Sequence, residues 1–239
     1  MKTASILALS IFLFFACSQA KPKKKSEDLS VQKSVTSAPS LQHDTIFDFE
    51  NYTTQKIPDN WSEFFTGRGD HTEWKIIDDQ GNKVLAQLSQ DRPNYHFNEI
   101  VFDGFKAKNV EMEVRMKAIK GDMDQGGGFV WRFQNADNYY VVRANPLEDN
   151  VVLYKVKDGK RTDLPVLGKG RTYGVDVKPL GKTWNTLKIT VIDDLFTVYL
   201  NGEQIFEVKD TTFEAAGKIG LWTKADAVSY FDDLSVTIK

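Results

Sequence analysis

The stretch GGGFVWRFQNADNYYVVRAN, residues 126–145, sets two arginines among aromatic and β-branched residues, one on each side of a polar QNADN. A guanidinium carries five N–H donors in a rigid fork that suits hydroxyl pairs and carboxylate oxygens. A tyrosine adds a ring face and a hydroxyl. Gathered on one surface, Arg132, Arg143, Tyr139 and Gln134 would suit a glycan or small saccharide, which shows hydroxyl edges and CH faces. A symmetric loop makes residues whose numbers sum to 273 face each other. Phe133 then opposes Tyr140, Trp131 opposes Val142 and Phe129 opposes Ala144, an apolar face for packing on a second sheet. Arg132 opposite Val141, Gln134 opposite Tyr139 and Val130 opposite Arg143 make the other face. The competing reading is a wet sheet face whose arginines pair with Glu111 or Glu113. A three-residue loop would break the parity and separate the two arginines.

Other reactive side chains form no strong pattern. Ahead of the first arginine, KGDMDQGGG offers Asp122 and Asp124 as cation ligands or as ordinary turn aspartates. Its three glycines allow a close backbone approach to a ligand or a neighbouring strand. PLEDN, residues 146–150, is a loop suited to a cleft rim. His43, His71 and His96 are scattered, with no H-E-x-x-H, and no G-x-S-x-G elbow exists. His96, in NYHFNE, either reaches the cleft or serves the structure.

The elements that carry these residues repeat with period two. VEMEVRMK puts Val110, Met112, Val114 and Met116 on one face and Glu111, Glu113, Arg115 and Lys117 on the other, a half-buried strand. TLKITVID does the same with Leu187, Ile189 and Val191. FTVYLNGEQIFEV is two strands joined by Asn201-Gly202, a type I′ turn signal, and Asp158-Gly159 after VVLYKV repeats it. TIFDFE, WKIID, KVLAQL, NEIVF, KIGLWT and SYFDDLSVTI complete the set. Many short strands and no amphipathic helix predict an all-β, two-sheet antiparallel sandwich or barrel over residues 45–239.

The 239 residues carry a net charge of −2, which gives no general attraction to nucleic acid. A lysine at position 2 and an apolar run from Ile6 to Ala16 have the shape of an export signal within residues 1–20. The sole cysteine, Cys17, follows that run. FFAC resembles a bacterial lipoprotein signal, which implies that Cys17 is lipidated as the mature first residue and anchors the protein to a membrane; the competing reading is cleavage after SQA, which removes it. Both readings place the protein in the periplasm or cell envelope. Residues 21–44, rich in Ser and Lys, read as a disordered tether.

GGGFVWRFQNADNYYVVRAN, VVLYKVKDGKR, FTVYLNGEQIFEV and AGKIGLWTKADAVSYFDDLSV resemble the concanavalin A-like jelly-roll sandwiches, which include laminin-G-like modules and family-16 glycosidases. Within them the chain is most similar to bacterial exported proteins related to the 3-keto-disaccharide hydrolase domain. The resemblance implies a ligand cleft on the concave sheet face. It also implies a structural calcium held by a first-strand Glu50 and a last-strand Asp232, with Asp48 and Asp233 in reserve. No cofactor is otherwise required. Family-16 glycosidases carry E-x-D-x-E or E-x-D-x-x-E; here Glu111-Met112-Glu113 stands alone, with Arg115 in the third place. The expected function is glycan binding. The alternatives are hydrolysis of 3-keto-glycosides, with Glu111, Glu113, Asp122, Asp124 or His96 as acid or base, and protein binding in the envelope.

Overall fold

The computed structural model describes residues 43–170 and 173–239. All of them belong to the compact unit Ser40–Lys239. The targeting segment, Cys17 and most of the tether lie outside the described residues.

The strands follow in chain order. They are β1 (His43–Phe47), β2 (Trp61–Gly67), β3 (Trp74–Asp79), β4 (Asn82–Gln87), β5 (His96–Phe102) and β6 (Val110–Lys120). Then come β7 (Gly127–Asn135), β8 (Asn138–Asn145), β9 (Asn150–Lys157), β10 (Lys160–Asp163) and β11 (Val175–Asp176). The last are β12 (Asn185–Ile192), β13 (Leu195–Leu200), β14 (Glu203–Lys209), β15 (Lys218–Lys224) and β16 (Val228–Ile238). No helix occurs among the described residues.

Two antiparallel sheets form the expected sandwich. The first runs β14-β13-β12-β6-β16-β4-β3 with β1 on β16, and the second runs β10-β9-β8-β7-β15-β5-β2 with β11 on β9. The period-two pattern decides what lies between them. Val110, Met112, Val114 and Met116 of β6 meet Phe129, Trp131, Tyr140 and Val142 of the second sheet in one buried core. Both hairpin signals hold: Asn201 and Gly202, like Asp158 and Gly159, take the positive φ that the tight turn demands.

The second sheet also has an apolar outer face. Phe97, Val130, Phe133, Tyr139, Val141, Tyr154 and Trp222 form a separate buried cluster there. A sheet apolar on both faces needs a cover on each. Arg161 supplies part of this one, its guanidinium 4.4 Å from the Tyr154 ring centroid and 4.6 Å from that of Phe97.

The β7–β8 register differs from the symmetric one. Asn135 does face Asn138, so the sum of 273 holds at the turn, but beyond it Trp131 faces Tyr140, Phe129 faces Val142 and Gly128 faces Arg143. A bulge sets Arg132, Phe133 and Gln134 against Tyr139 alone, with Arg132 at φ 47. Past the bulge the parity reverses: Trp131 stays in the core, while Phe133 turns to the outer cluster and stacks on Tyr139 at 5.5 Å.

Candidate functional site

Arg143 leaves β8 on the outer face and is only 3% exposed, yet its charge is fully matched. Nη2 donates to Glu148 Oε2 at 2.8 Å and to the hydroxyls of Tyr154 and Tyr173 at 3.2 Å each. Nη1 donates to Asn150 Oδ1. Burial works against the guanidinium's charge, but Tyr154, Glu148 and Tyr173 outweigh it and raise the pKa. Glu148 responds in kind: burial opposes its charge, Arg143 overcomes that, and its pKa is lowered. The Tyr173 ring stands 53% exposed above this group, 5.7 Å from the guanidinium. Tyr154 thus lies between two guanidiniums, those of Arg143 and Arg161.

The surrounding rim is built from backbone held by carboxylates. Asp226 accepts the N–H groups of Asp122, Met123 and Asp124 at 2.9–3.1 Å, which shapes the loop before β7. Asp124 in turn accepts from Gly126 N–H at 2.7 Å, from Asn145 Nδ2 at 3.2 Å and from Lys224 Nζ at 2.6 Å. Asn145 Oδ1 caps Leu147 N–H at 3.0 Å, fixing the loop that carries Glu148. Both loops singled out in the sequence, 120–128 and 146–150, therefore border one site. Asp122 and Asp124 act there as loop braces, with Asp122 paired to Arg92 at 2.6 Å.

The remaining expected residues disperse. Arg132 does not join Arg143: its guanidinium donates to the carbonyls of Lys108 at 3.0 Å, Phe213 at 2.8 Å and Asp193, and faces the core ring of Phe196. The reason is the bulge, which turns it away from the outer face. Gln134 is exposed and donates to the carbonyls of Arg132 and Ala216. Tyr139 lies on the outer face but is fully buried as its floor. Neither arginine pairs with Glu111 or Glu113; Glu111 binds Lys188 at 3.0 Å instead. His96 is buried, with Nδ1 facing Arg68 O and Nε2 facing Asn98 Oδ1.

Glu50 and Asp232 bind consecutive residues of β4 rather than each other. Glu50 accepts Lys83 N–H at 2.9 Å, and Asp232 accepts Asn82 Nδ2 at 3.0 Å. Among the described residues, the one group of three carboxylate and histidine ligands close enough for a metal is the exposed Asp70, His71 and Asp91.

Alternation from the Asp158-Gly159 turn pairs Arg161 with Val156, whose other neighbour is Tyr139, and so could have placed Arg161 on this face. Tyr154 follows from the same alternation. Tyr173 and Glu148 sit in loops and carry no such signal.

The family model described as the 3-keto-alpha-glucoside-1,2-lyase-like domain matches residues 60–237. Among solved structures, carbohydrate-binding module CBM66 from Bacillus subtilis is 19% identical, with 73% of this chain and 93% of that chain covered and a TM-score of 0.55. The exoplasmic/lumenal domain of VIP36, in a Ca2+/Man-bound form, is 11% identical, with 81% and 88% covered and a TM-score of 0.53. A Bacteroides ovatus GH16 protein in complex with a G4G4G3G product is 12% identical, with 80% and 99% covered and a TM-score of 0.53. At such identities the likeness is one of fold, a jelly roll that serves both carbohydrate-binding and glycoside-hydrolase proteins. Comparison with curated protein sequences finds no significant match.

Proposed function

Because the chain belongs to the 3-keto-alpha-glucoside-1,2-lyase-like family, we propose that it is an exported glycan-recognising domain, anchored through lipidated Cys17. Its saccharide seats on the outer face of the second sheet, beside Arg143, Glu148, Tyr173 and Arg161. One observation carries the reading: a buried guanidinium, held by Glu148, Asn150 and Tyr154, holds the hydroxyl of the exposed Tyr173 ring above it. The guanidinium, held rigid by its neighbours, fixes the Tyr173 hydroxyl in turn, so the exposed ring loses little entropy when it takes the sugar's CH face. The carbohydrate-bound relatives of the same fold support it. Calcium held by Glu50 and Asp232 remains part of the proposal, as a brace between the turn after β1 and strand β16.

The test is calorimetric titration of the full chain with a panel of α-glucosides, alongside Tyr173→Ala and Arg143→Lys. Lysine keeps the charge and loses the fork. Losing one charged hydrogen bond costs roughly 1.5–3 kcal/mol, about a 10- to 100-fold drop in affinity. Binding that is unchanged in both variants refutes the site. Fatty-acid labelling that persists in Cys17→Ser refutes the anchor.

The family description favours a second reading, elimination from a 3-keto-glucoside. A ketone at C3 acidifies the C2–H bond; a base takes that proton, the C2=C1 double bond forms and the C1–O bond to the leaving group breaks. The half-exposed Glu148, held ionised by Arg143, offers a carboxylate base on this face. Mass spectrometry of a 3-keto-glucoside incubated with the protein distinguishes this: a product lighter than the hydrolysed sugar by one water marks elimination.

A further inference from the structure

Arg132 lies at the floor of a cavity of about 230 Å³, lined also by Lys108, Asp193, Asp194, Asp210 and Glu214. It is set further along β7 toward the turn than Gly128, the residue that faces Arg143. Four residues of strand put the two positions about 13 Å apart. We infer that this cavity is a second saccharide pocket, sized for one monosaccharide unit, at the other end of β7 from the Arg143 site. The inference goes beyond the first site and shares with the proposed function the premise that the ligand is a saccharide.

The lining sorts into spent and spare groups. Asp210 is spent: it accepts from Tyr140 OH at 2.6 Å, Thr212 N–H at 2.8 Å and Lys155 Nζ at 2.8 Å. Asp193 pairs with Lys108 at 3.3 Å. Asp194 and Glu214 are spare: neither side chain has a hydrogen bond or ion pair among the described residues, and both pull on the charge of Arg132. Arg132 is 1% exposed and donates three of its five N–H groups to loop carbonyls, which leaves two. The pocket therefore offers two unpaired carboxylates as acceptors beside a guanidinium that lines it and has two N–H groups unspent.

A polyhydroxy ring uses both kinds at once, since each hydroxyl donates one hydrogen bond and accepts others. A metal ion would meet the carboxylates but also the charges of Arg132 and Lys108, and so fits less well. The volume falls below the roughly 300–1,000 Å³ of drug-sized sites, which limits the occupant to a single ring. Two such sites on one domain would let a branched or long glycan engage both, raising avidity without new contacts.

The experiment is amide NMR of the isotope-labelled full chain titrated with methyl α-glucoside to millimolar levels, then with calcium chloride alone. The expected result is sugar-dependent shifts at residues 194 and 211–214, weakened about 10-fold or more in Asp194→Asn and Glu214→Gln. Those variants should leave shifts near Arg143 unchanged, and Arg143→Lys should do the reverse. Shifts near Arg143 alone overturn the second pocket and keep the proposed function. Shifts at the pocket alone keep the pocket and overturn the first site. Perturbation of the pocket by calcium but not by sugar overturns the saccharide assignment, and no sugar shifts anywhere overturn both.

Discussion

The Tyr139 hydroxyl lies 2.7 Å from Oε1 of Glu99, and both side chains are fully buried under the outer face of the second sheet. Thr66 Oγ1 completes a triangle, 2.9 Å from Glu99 Oε1 and 2.8 Å from Tyr139 OH, and also faces Ala136 O at 2.5 Å. Four oxygen–oxygen contacts share only two hydroxyl protons when Glu99 is ionised. A protonated Glu99 supplies a third. Burial is the main force raising its pKa, to about 8, with the bonds from Tyr139 and Thr66 opposing. Burial thus favours the neutral acid of Glu99, which ties β5 to β2 and β8.

Stability should therefore fall as pH rises. A carboxyl whose folded pKa exceeds its ordinary 4.5 contributes stability that is complete below that value and lost as pH climbs through about 8. The slope in that window is about 1.4 kcal/mol per pH unit from this one group. Glu99→Gln, neutral at every pH, should remove the slope. Urea unfolding of both proteins from pH 5 to 9 checks it; parallel curves would show that Glu99 is ionised in the native state.

The strands were legible in the sequence because burial on one face writes itself as alternation, as Val110, Met112, Val114 and Met116 show. The Asn201-Gly202 and Asp158-Gly159 turns were legible because few other pairs accept positive φ. β2 was not: Trp61–Gly67 has no clean alternation, its middle positions being half-buried. The site was half legible. Arg143 and Tyr139 emerge on the outer face as parity requires, but the bulge at Arg132 carries no composition signal. Arginine is not a residue that favours φ 47, and only the three carbonyls it reaches, from distant loops, explain it.

Gly128 is required where β7 crosses Arg143. A Cβ there would stand 2.0 Å from Val142 O and 2.8 Å from Arg143 Cα, both backbone atoms within paired strands. Gly128→Ala should cost more than about 3 kcal/mol, or roughly 6–12 °C in Tm. Gly81→Ala is the control, because its Cβ meets nothing within 4 Å and only its φ of +93 opposes the change. It should cost about 1 kcal/mol. Equal losses in thermal melts would mean that close approach at Gly128 is relieved by strand movement.

Asp226 should control the rim. Burial opposes its charge, but three backbone N–H bonds and Arg92 overcome this and lower its pKa below 3.8. Its contribution is accordingly present above that value and lost as pH falls through the depressed one. Asp226→Ala leaves three loop N–H groups without their acceptor and should free residues 122–124. Faster hydrogen exchange at those amides, with core exchange unchanged, is the expected result; uniform acceleration across the sheets would mean a global role instead.

At Arg132 two effects compete, and their sizes predict the outcome. Arg132→Gly relieves a left-handed backbone that costs a non-glycine residue about 1–2 kcal/mol. It also deletes three charge-assisted bonds, each worth roughly 1.5–3 kcal/mol when the acceptor is left unpaired. The bonds should win, with a net loss of about 3 kcal/mol or more, and Arg132→Lys, which can restore at most part of the fork, should lose nearly as much. If Arg132→Gly melts at the native temperature, the loops at Lys108, Asp193 and Phe213 hold themselves in place. The arginine would then be there for what enters the cavity above it.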